Sequence, residues 1–310
     1  MTATTEESTF KLSDGVEVYT KTWKSPTAPI AQAFFLHGFS DHSNAYFSFP
    51  ETLAQSGIEL FSFDQRGWGR SCGSNTSQWG VSGDTRQLLA DIDELLLVRL
   101  SAHPGLPLFL LSHSMGGGTA LTYAHRGAHR NSLAGVVAWS PMIDFAAGAR
   151  PAAVVLAAGR LAARVFPGRQ LLNKLDAAAM SRDTEACRVF ADDPLCHDTG
   201  TLLGIVEMLD RGKQLQDREV AASFPRSLPV LVAHGTADRV TDCEASRRFV
   251  DMLQVDDKAF KVYDGWYHKL HAEPGEDRVV FANDVVDWIK ARCSTPTAAD
   301  KQADEPSSKL

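Results

Sequence analysis

Apolar positions along the chain fall into two textures that alternate. One is a short, nearly solid block: "IAQAFFLHG" (30–38), "IELFSFDQ" (58–65), "LPLFLLS" (106–112), "LAGVVAWS" (133–140) and "LPVLVAHG" (228–235). With "VEVYTKTWK" (16–24) and "AFKVYDG" (259–265) these read as strands, and the missing polar alternation predicts strands covered on both faces. The other texture is helical, with apolar residues three and four apart, as in "TRQLLADIDELLLVRLSA" (85–102) and "EASRRFVDMLQ" (244–254). Repetition of strand, helix and strand predicts an α/β fold on an open, mostly parallel central sheet flanked by helices.

The rhythm stops between 146 and 222. No strand-like run is read there, and Pro151, Pro167, Pro194 and Gly200 punctuate several helical segments. The expected organisation is a core of residues 1–145 and 223–293, a helical cap inserted at 146–222, and a polar, disordered tail at 294–310.

Composition narrows the chemistry. A 310-residue chain that is 44% hydrophobic can bury a large core, and its net charge of −7 argues against a phosphate-binding surface, so nucleic acid is not an expected partner. Five scattered cysteines, never spaced C-x-x-C, predict neither a disulfide framework nor a zinc site. His125 and His129 have helical i, i+4 spacing without a third ligand, so no metal and no cofactor is expected. "MTATTEESTF" has no basic and no apolar leader region, so no secretory leader is expected. The most apolar long segment, 145–166, is interrupted by Arg150, Arg160 and Arg164, which argues against a membrane span.

The block at 106–112 leads into "HSMGGGTALTYAHR", a strand-to-helix turn with Ser114 at its point. Small residues on both sides relieve the crowding of a sharp turn, and the helix N-terminus behind it favours developing negative charge. A serine hydroxyl needs a base to take its proton and a third group to orient that base. On a nucleophile elbow the chain order is serine, acid, histidine. Asp238 follows the strand at 228–235 and His268 follows the strand at 259–265, so both lie past strand ends in that order. Asp242 sits at a helix start and is expected to cap it, while His271 lies further from its strand. The Met115 N–H, directly after the serine, and the Phe39 N–H, in the loop after "FFLHG", are the expected oxyanion donors.

These segments, with "FDQRGWGRS" (63–71), "WSPMID" (139–144), "VAHGTADRVTD" (232–242) and "YDGWYHKLH" (263–271), resemble the α/β-hydrolase superfamily and within it the monoacylglycerol lipases, over roughly residues 10 to 292. The resemblance implies a cofactor-free serine hydrolase acting on a lipid-like acyl ester, with Ser114, Asp238 and His268 as the triad and Phe39 and Met115 as oxyanion donors. Two positions depart from the family pattern: Ser112 replaces the first elbow glycine, and Ser40 replaces the second glycine of H-G-x-G. "DQRGWGRS" is read as a structural turn pinned by Asp64 and Arg66.

In such hydrolases the insertion covers the site. On a helix opened by Arg150-Pro151, at about 100° per residue, Arg150, Arg160 and Arg164 lie within roughly 80° of one another, opposite Ala152, Val155, Gly159, Ala162 and Phe166. Such a stripe either rests transiently on a lipid surface or is a solvated face. The ending Ser308-Lys309-Leu310 is a peroxisomal import signal, so an import receptor is an expected partner and the peroxisome the expected compartment, the cytoplasm being the alternative. Two other functions remain open at this level: a thioesterase or acyltransferase using the same triad, and a ligand-binding relative without catalysis.

Overall fold

The computed structural model describes residues 3–293; the tail and its terminal tripeptide lie outside that range. The first six strands are β1 (Thr4–Lys11), β2 (Glu17–Lys24), β3 (Ala31–Leu36), β4 (Ile58–Phe63), β5 (Leu108–His113) and β6 (Leu133–Trp139). Between them lie α1 (Phe49–Gln55), α2 (Gly69–Cys72), α3 (Thr85–Ala102) and α4 (Ser114–Arg126). Next come α5 (Ala153–Val165), β7 (Gln170–Leu172), α6 (Thr184–Asp192), β8 (Thr199–Thr201), α7 (Leu202–Leu215) and α8 (Arg218–Ala222). The chain then returns to the core with β9 (Val230–Gly235), α9 (Cys243–Met252), β10 (Lys258–Tyr263) and α10 (Asp277–Cys293).

One sheet runs in the order β1-β2-β4-β3-β5-β6-β9-β10. The pairs β1–β2 and β2–β4 are antiparallel and all the others are parallel. The solid apolar blocks are explained by burial on both sides. In β5, Leu108 and Leu110 face a core shared with α3, α4 and α9, whereas Phe109 and Leu111 face a second core shared with α1 and α10. In β9, Val230 and Val232 divide from Leu231 and Ala233 in the same way. The helix α3 supplies Leu89, Ile92, Leu95 and Leu96 to the first core, the apolar spacing that predicted it. Its N-terminus is capped by Asp84, which accepts from the Gln87 N–H at 2.8 Å.

Parallel register places equivalent strand ends on one rim: Leu36 pairs with Ser112, His113 with Trp139, and Tyr263 with Gly235. The loops after β3, β5, β9 and β10 therefore open at the same edge, where functional groups of such sheets gather.

Two elements differ from expectation. β1 was not read as a strand because it is an edge strand whose side chains are nearly all exposed, with Phe10 alone half-buried. Within the insertion, β7 and β8 pair antiparallel, Gln170 with Thr201 and Leu172 with Thr199. Three-residue strands are too short to leave an apolar period. The turn after β4 is pinned as expected. Asp64 accepts from the Ser43 and Arg70 N–H groups at 2.7 and 2.8 Å, and Arg66 makes a two-pronged ion pair with fully buried Asp91 at 2.9 and 2.8 Å. An Arg66→Met variant strands the Asp91 carboxylate on the Gln87 side chain, and urea unfolding is expected to show a loss of about 3 kcal/mol.

Candidate active site

The turn from β5 into α4 forces Ser114 into the left-handed region, at φ 54°. Glycines let the backbone pass. A Cβ on Gly116 would stand 2.4 Å from the Leu36 carbonyl oxygen and 2.5 Å from that of His37, and one on Gly117 would stand 2.8 Å from Pro141 Cα. The serine at the first elbow position is accommodated: the Ser112 hydroxyl is buried and donates to the Val137 carbonyl at 3.1 Å.

Three predicted side chains meet at the rim. His268 Nε2 lies 2.9 Å from Ser114 Oγ, and His268 Nδ1 lies 2.8 Å from Asp238 Oδ2. The side chains of His268 and Asp238 are buried, and so is Ser114. Asp238 also accepts from the Val240 and Thr241 N–H groups at 2.7 and 3.0 Å, from the Thr241 hydroxyl at 2.8 Å, and from His234 Nε2 at 3.1 Å. Burial alone would push its carboxyl up. The charge of His268 and the hydrogen bonds from His234 and His268 outweigh that and hold it well below the usual carboxylate range.

The competing residues are occupied elsewhere. Asp242 caps α9, accepting from the Glu244 N–H at 2.9 Å. His271 Nδ1 accepts from the Trp139 indole at 3.1 Å, its ring stacks on Tyr46, and it has no hydrogen bond to Ser114 or Asp238. His113 packs its ring 4.9 Å from that of His268. Burial and the neighbouring cationic groups push both His113 and His271 well below the ordinary imidazole range. Both are therefore neutral, and neither repels a positive His268. His125 bonds to Ser223 Oγ at 2.8 Å and belongs to no metal-binding cluster. Among the described residues the one cluster with metal-ligand atoms in mutual reach is His42, Asp193 and Cys196, where His42 Nε2 and Asp193 already form a 2.9 Å ion pair.

Among the described residues, neither the Phe39 N–H nor the Met115 N–H has a hydrogen-bond partner. Next to Phe39, Ser40 takes the left-handed conformation that favours glycine, at φ 52°. Its hydroxyl accepts from the Asp198 N–H at 2.8 Å, joining this loop to the insertion. A pocket of about 50 Å³ lies against Ser114, lined by the apolar side chains of Phe39, Met142, Phe145, Leu175, Met208 and Val240 and by the polar side chains of Asp41, Asn173 and Lys269. The Lys269 ammonium pairs with Asp41 at 2.8 Å and lies over the Phe190 ring; both charged groups are buried. Sequence reasoning missed this pair and His234, although Lys269 adjoins His268 and His234 ends the same strand that delivers Asp238.

The sequence profile described as serine aminopeptidase, S33 (Hydrolase_4) matches residues 27–275. The chain belongs to that family. A putative monoglyceride lipase of Schizosaccharomyces pombe is 36% identical over 274 residues, covering 88% of this chain and 71% of the relative. A monoacylglycerol lipase of Mycolicibacterium smegmatis is 30% identical over 290 residues, covering 93% and 98%. Among solved structures, a soluble variant of the Saccharomyces cerevisiae monoglyceride lipase in complex with a substrate analog superposes with a TM-score of 0.86 at 25% identity, covering 95% of this chain and 97% of that one. This S33-family chain is thus an α/β-hydrolase-fold hydrolase.

Because the Asp238 carboxyl is depressed, the native state holds fewer protons than the unfolded chain. The stability this gives is present above about pH 4 and is lost as pH falls further. Asp238→Asn removes that contribution, so acid unfolding followed by circular dichroism is expected to lose stability less steeply below about pH 4 than wild type.

Proposed function

We propose that this hydrolase cleaves monoacylglycerols by way of an acyl-enzyme on Ser114. The observation that carries the reading is the 2.9 Å and 2.8 Å chain from Ser114 Oγ through His268 to Asp238 beneath an apolar opening. His268 Nε2 takes the hydroxyl proton as Oγ attacks the ester carbonyl. The resulting imidazolium is stabilised by Asp238, which holds the ring at Nδ1. The Phe39 and Met115 N–H groups receive the oxyanion, aided by the α4 N-terminus. His268 then gives its proton to the leaving alcohol, and a water activated by the same nitrogen releases the fatty acid. An acyl tail suits the walls formed by Phe39, Met142, Phe145 and Met208, and a hydroxyl-bearing head suits Asp41 and Lys269 on the polar side. The names carried by the relatives support the same substrate class.

Ser114→Ala is expected to lower kcat roughly a millionfold, and Asp238→Asn a thousand- to ten-thousand-fold, with a fluorophosphonate probe labelling wild type at Ser114 alone. Assay of monoacylglycerols beside acyl-CoA thioesters checks the substrate: higher kcat/KM on the thioesters would replace the ester with a thioester reading.

Contact of the cap with a lipid surface belongs to this proposal, in altered form. Arg150 precedes α5 and pairs with Asp144, and Arg160 pairs with Asp210 on α7 at 2.6 Å, so the expected basic stripe is largely taken up by ion pairs. The outward face is apolar instead, with Val154 73%, Leu161 64% and Val165 63% exposed, and Phe166 and Leu172 beside them. Leu161→Asp with Val165→Asp is expected to reduce sedimentation with lipid vesicles while hydrolysis of a short, water-soluble ester persists. Delivery to peroxisomes through Ser308-Lys309-Leu310 completes the proposal. A fluorescent fusion at the N-terminus is expected to enter peroxisomes and to disperse when the tripeptide is removed.

A further inference from the structure

The strand β9 delivers more than the acid. His234, its penultimate residue, lies on the face that carries Val230 and Val232 and is fully buried. Its Nε2 lies 3.1 Å from Asp238 Oδ2, and its Nδ1 lies 2.9 Å from Ser246 Oγ on α9. An ionised carboxylate only accepts, so Nε2 donates to it, and in the neutral ring Nδ1 accepts from the Ser246 hydroxyl. We propose that His234 is a positioning residue for catalysis: its N–H orients the Asp238 carboxylate and draws charge from the oxygen that His268 uses. The inference rests on Ser114, His268 and Asp238 forming the catalytic triad.

Three donors converge on Asp238 Oδ2: His268 Nδ1 at 2.8 Å, the Thr241 hydroxyl at 2.8 Å and His234 Nε2 at 3.1 Å. The other oxygen is taken by the backbone N–H groups of Val240 and Thr241. Donors on one oxygen compete for its charge. Removing the His234 donor leaves more charge for His268, which stabilises its imidazolium and raises the pH at which the base is lost. The carboxylate also loses one anchor of its plane, so the imidazole is held less well against Ser114 Oγ. His234 does not line the substrate opening, so binding is spared.

Other titratable groups near the triad are His113, packed on the His268 ring, His271, packed on His113, and the Asp41–Lys269 pair. On α9, the Cys243 thiol is pushed up to about 11 by burial and stays neutral. None of these hydrogen-bonds to His234, so their influence on His268 is common to wild type and variants.

The test compares His234→Leu, which removes the donor, with His234→Gln, whose amide N–H can replace it, after correcting for active enzyme by fluorophosphonate titration. His234→Leu is expected to lower kcat roughly ten- to hundredfold with KM little changed, and to move the acid limb of kcat/KM up by about half a pH unit. His234→Gln is expected to recover most of both effects. Ser246→Ala, which frees the ring to change tautomer, is expected to move the limb the same way by less, and it serves if the leucine variant does not fold. A limb that stays in place in the folded variants overturns the inference, even where thermal stability falls. Hydrolysis surviving in Ser114→Ala would instead overturn the triad on which it rests.

Discussion

The left-handed backbone conformation of Ser114 sets the geometry of the rim. Ser114 at φ 54° carries a cost of about 1–3 kcal/mol, and the neighbouring packing holds it there. Gly116 and Gly117 let α4 approach the carbonyls of Leu36 and His37 and the backbone of Pro141. The Ser114 carbonyl accepts from the Met142 N–H at 2.8 Å, so the loop after β6 grips the turn from its other side. The left-handed turn lifts Oγ off the strand toward His268, and it leaves the Met115 N–H, at the N-terminal end of α4, without a partner.

Around that turn the electrostatics are arranged by burial. His37, His113 and His271 are all pushed below the ordinary imidazole range, so these three histidines around the turn are uncharged. Against that neutral background Asp238 meets two imidazoles at once, and the charge of the carboxylate is spread over five hydrogen bonds. Lys269, one residue beyond the base, would be a strong perturbation by itself. Its pairing with Asp41 leaves the opening net neutral there.

Much of this was legible before any coordinates, and the reason is geometric. Strands buried on both faces write solid apolar blocks, and parallel pairing puts their ends on one edge, so Ser114, Asp238 and His268 could be placed together by counting strand ends. What sequence could not supply was side-chain direction. Nothing in "VAHGTAD" distinguishes a histidine that reaches back to the aspartate from one that merely ends a strand. Likewise the arginines near α5 read as a shared basic face in the sequence, because their partners lie outside that helix, Asp144 before it and Asp210 on α7. The edge strand β1 left no trace because its polar side chains answer to solvent on both sides.

The substitution at Ser40 has a mechanical consequence. Glycine there would satisfy the backbone but could not bond to Asp198, so this chain ties its oxyanion loop to the base of the insertion. A second set of ties joins the insertion to the loop bearing His268: the Lys269 N–H to the Met180 carbonyl, Ser181 to Ala272, and Arg182 to Glu273. Swinging the whole insertion aside would pull on the proposed oxyanion donor and the proposed base together. Displacing the α5 corner breaks, among the ion pairs of α5 and its lead-in, only those made by Arg150 and Arg160, and none of the ties to the loops of Ser40 and His268.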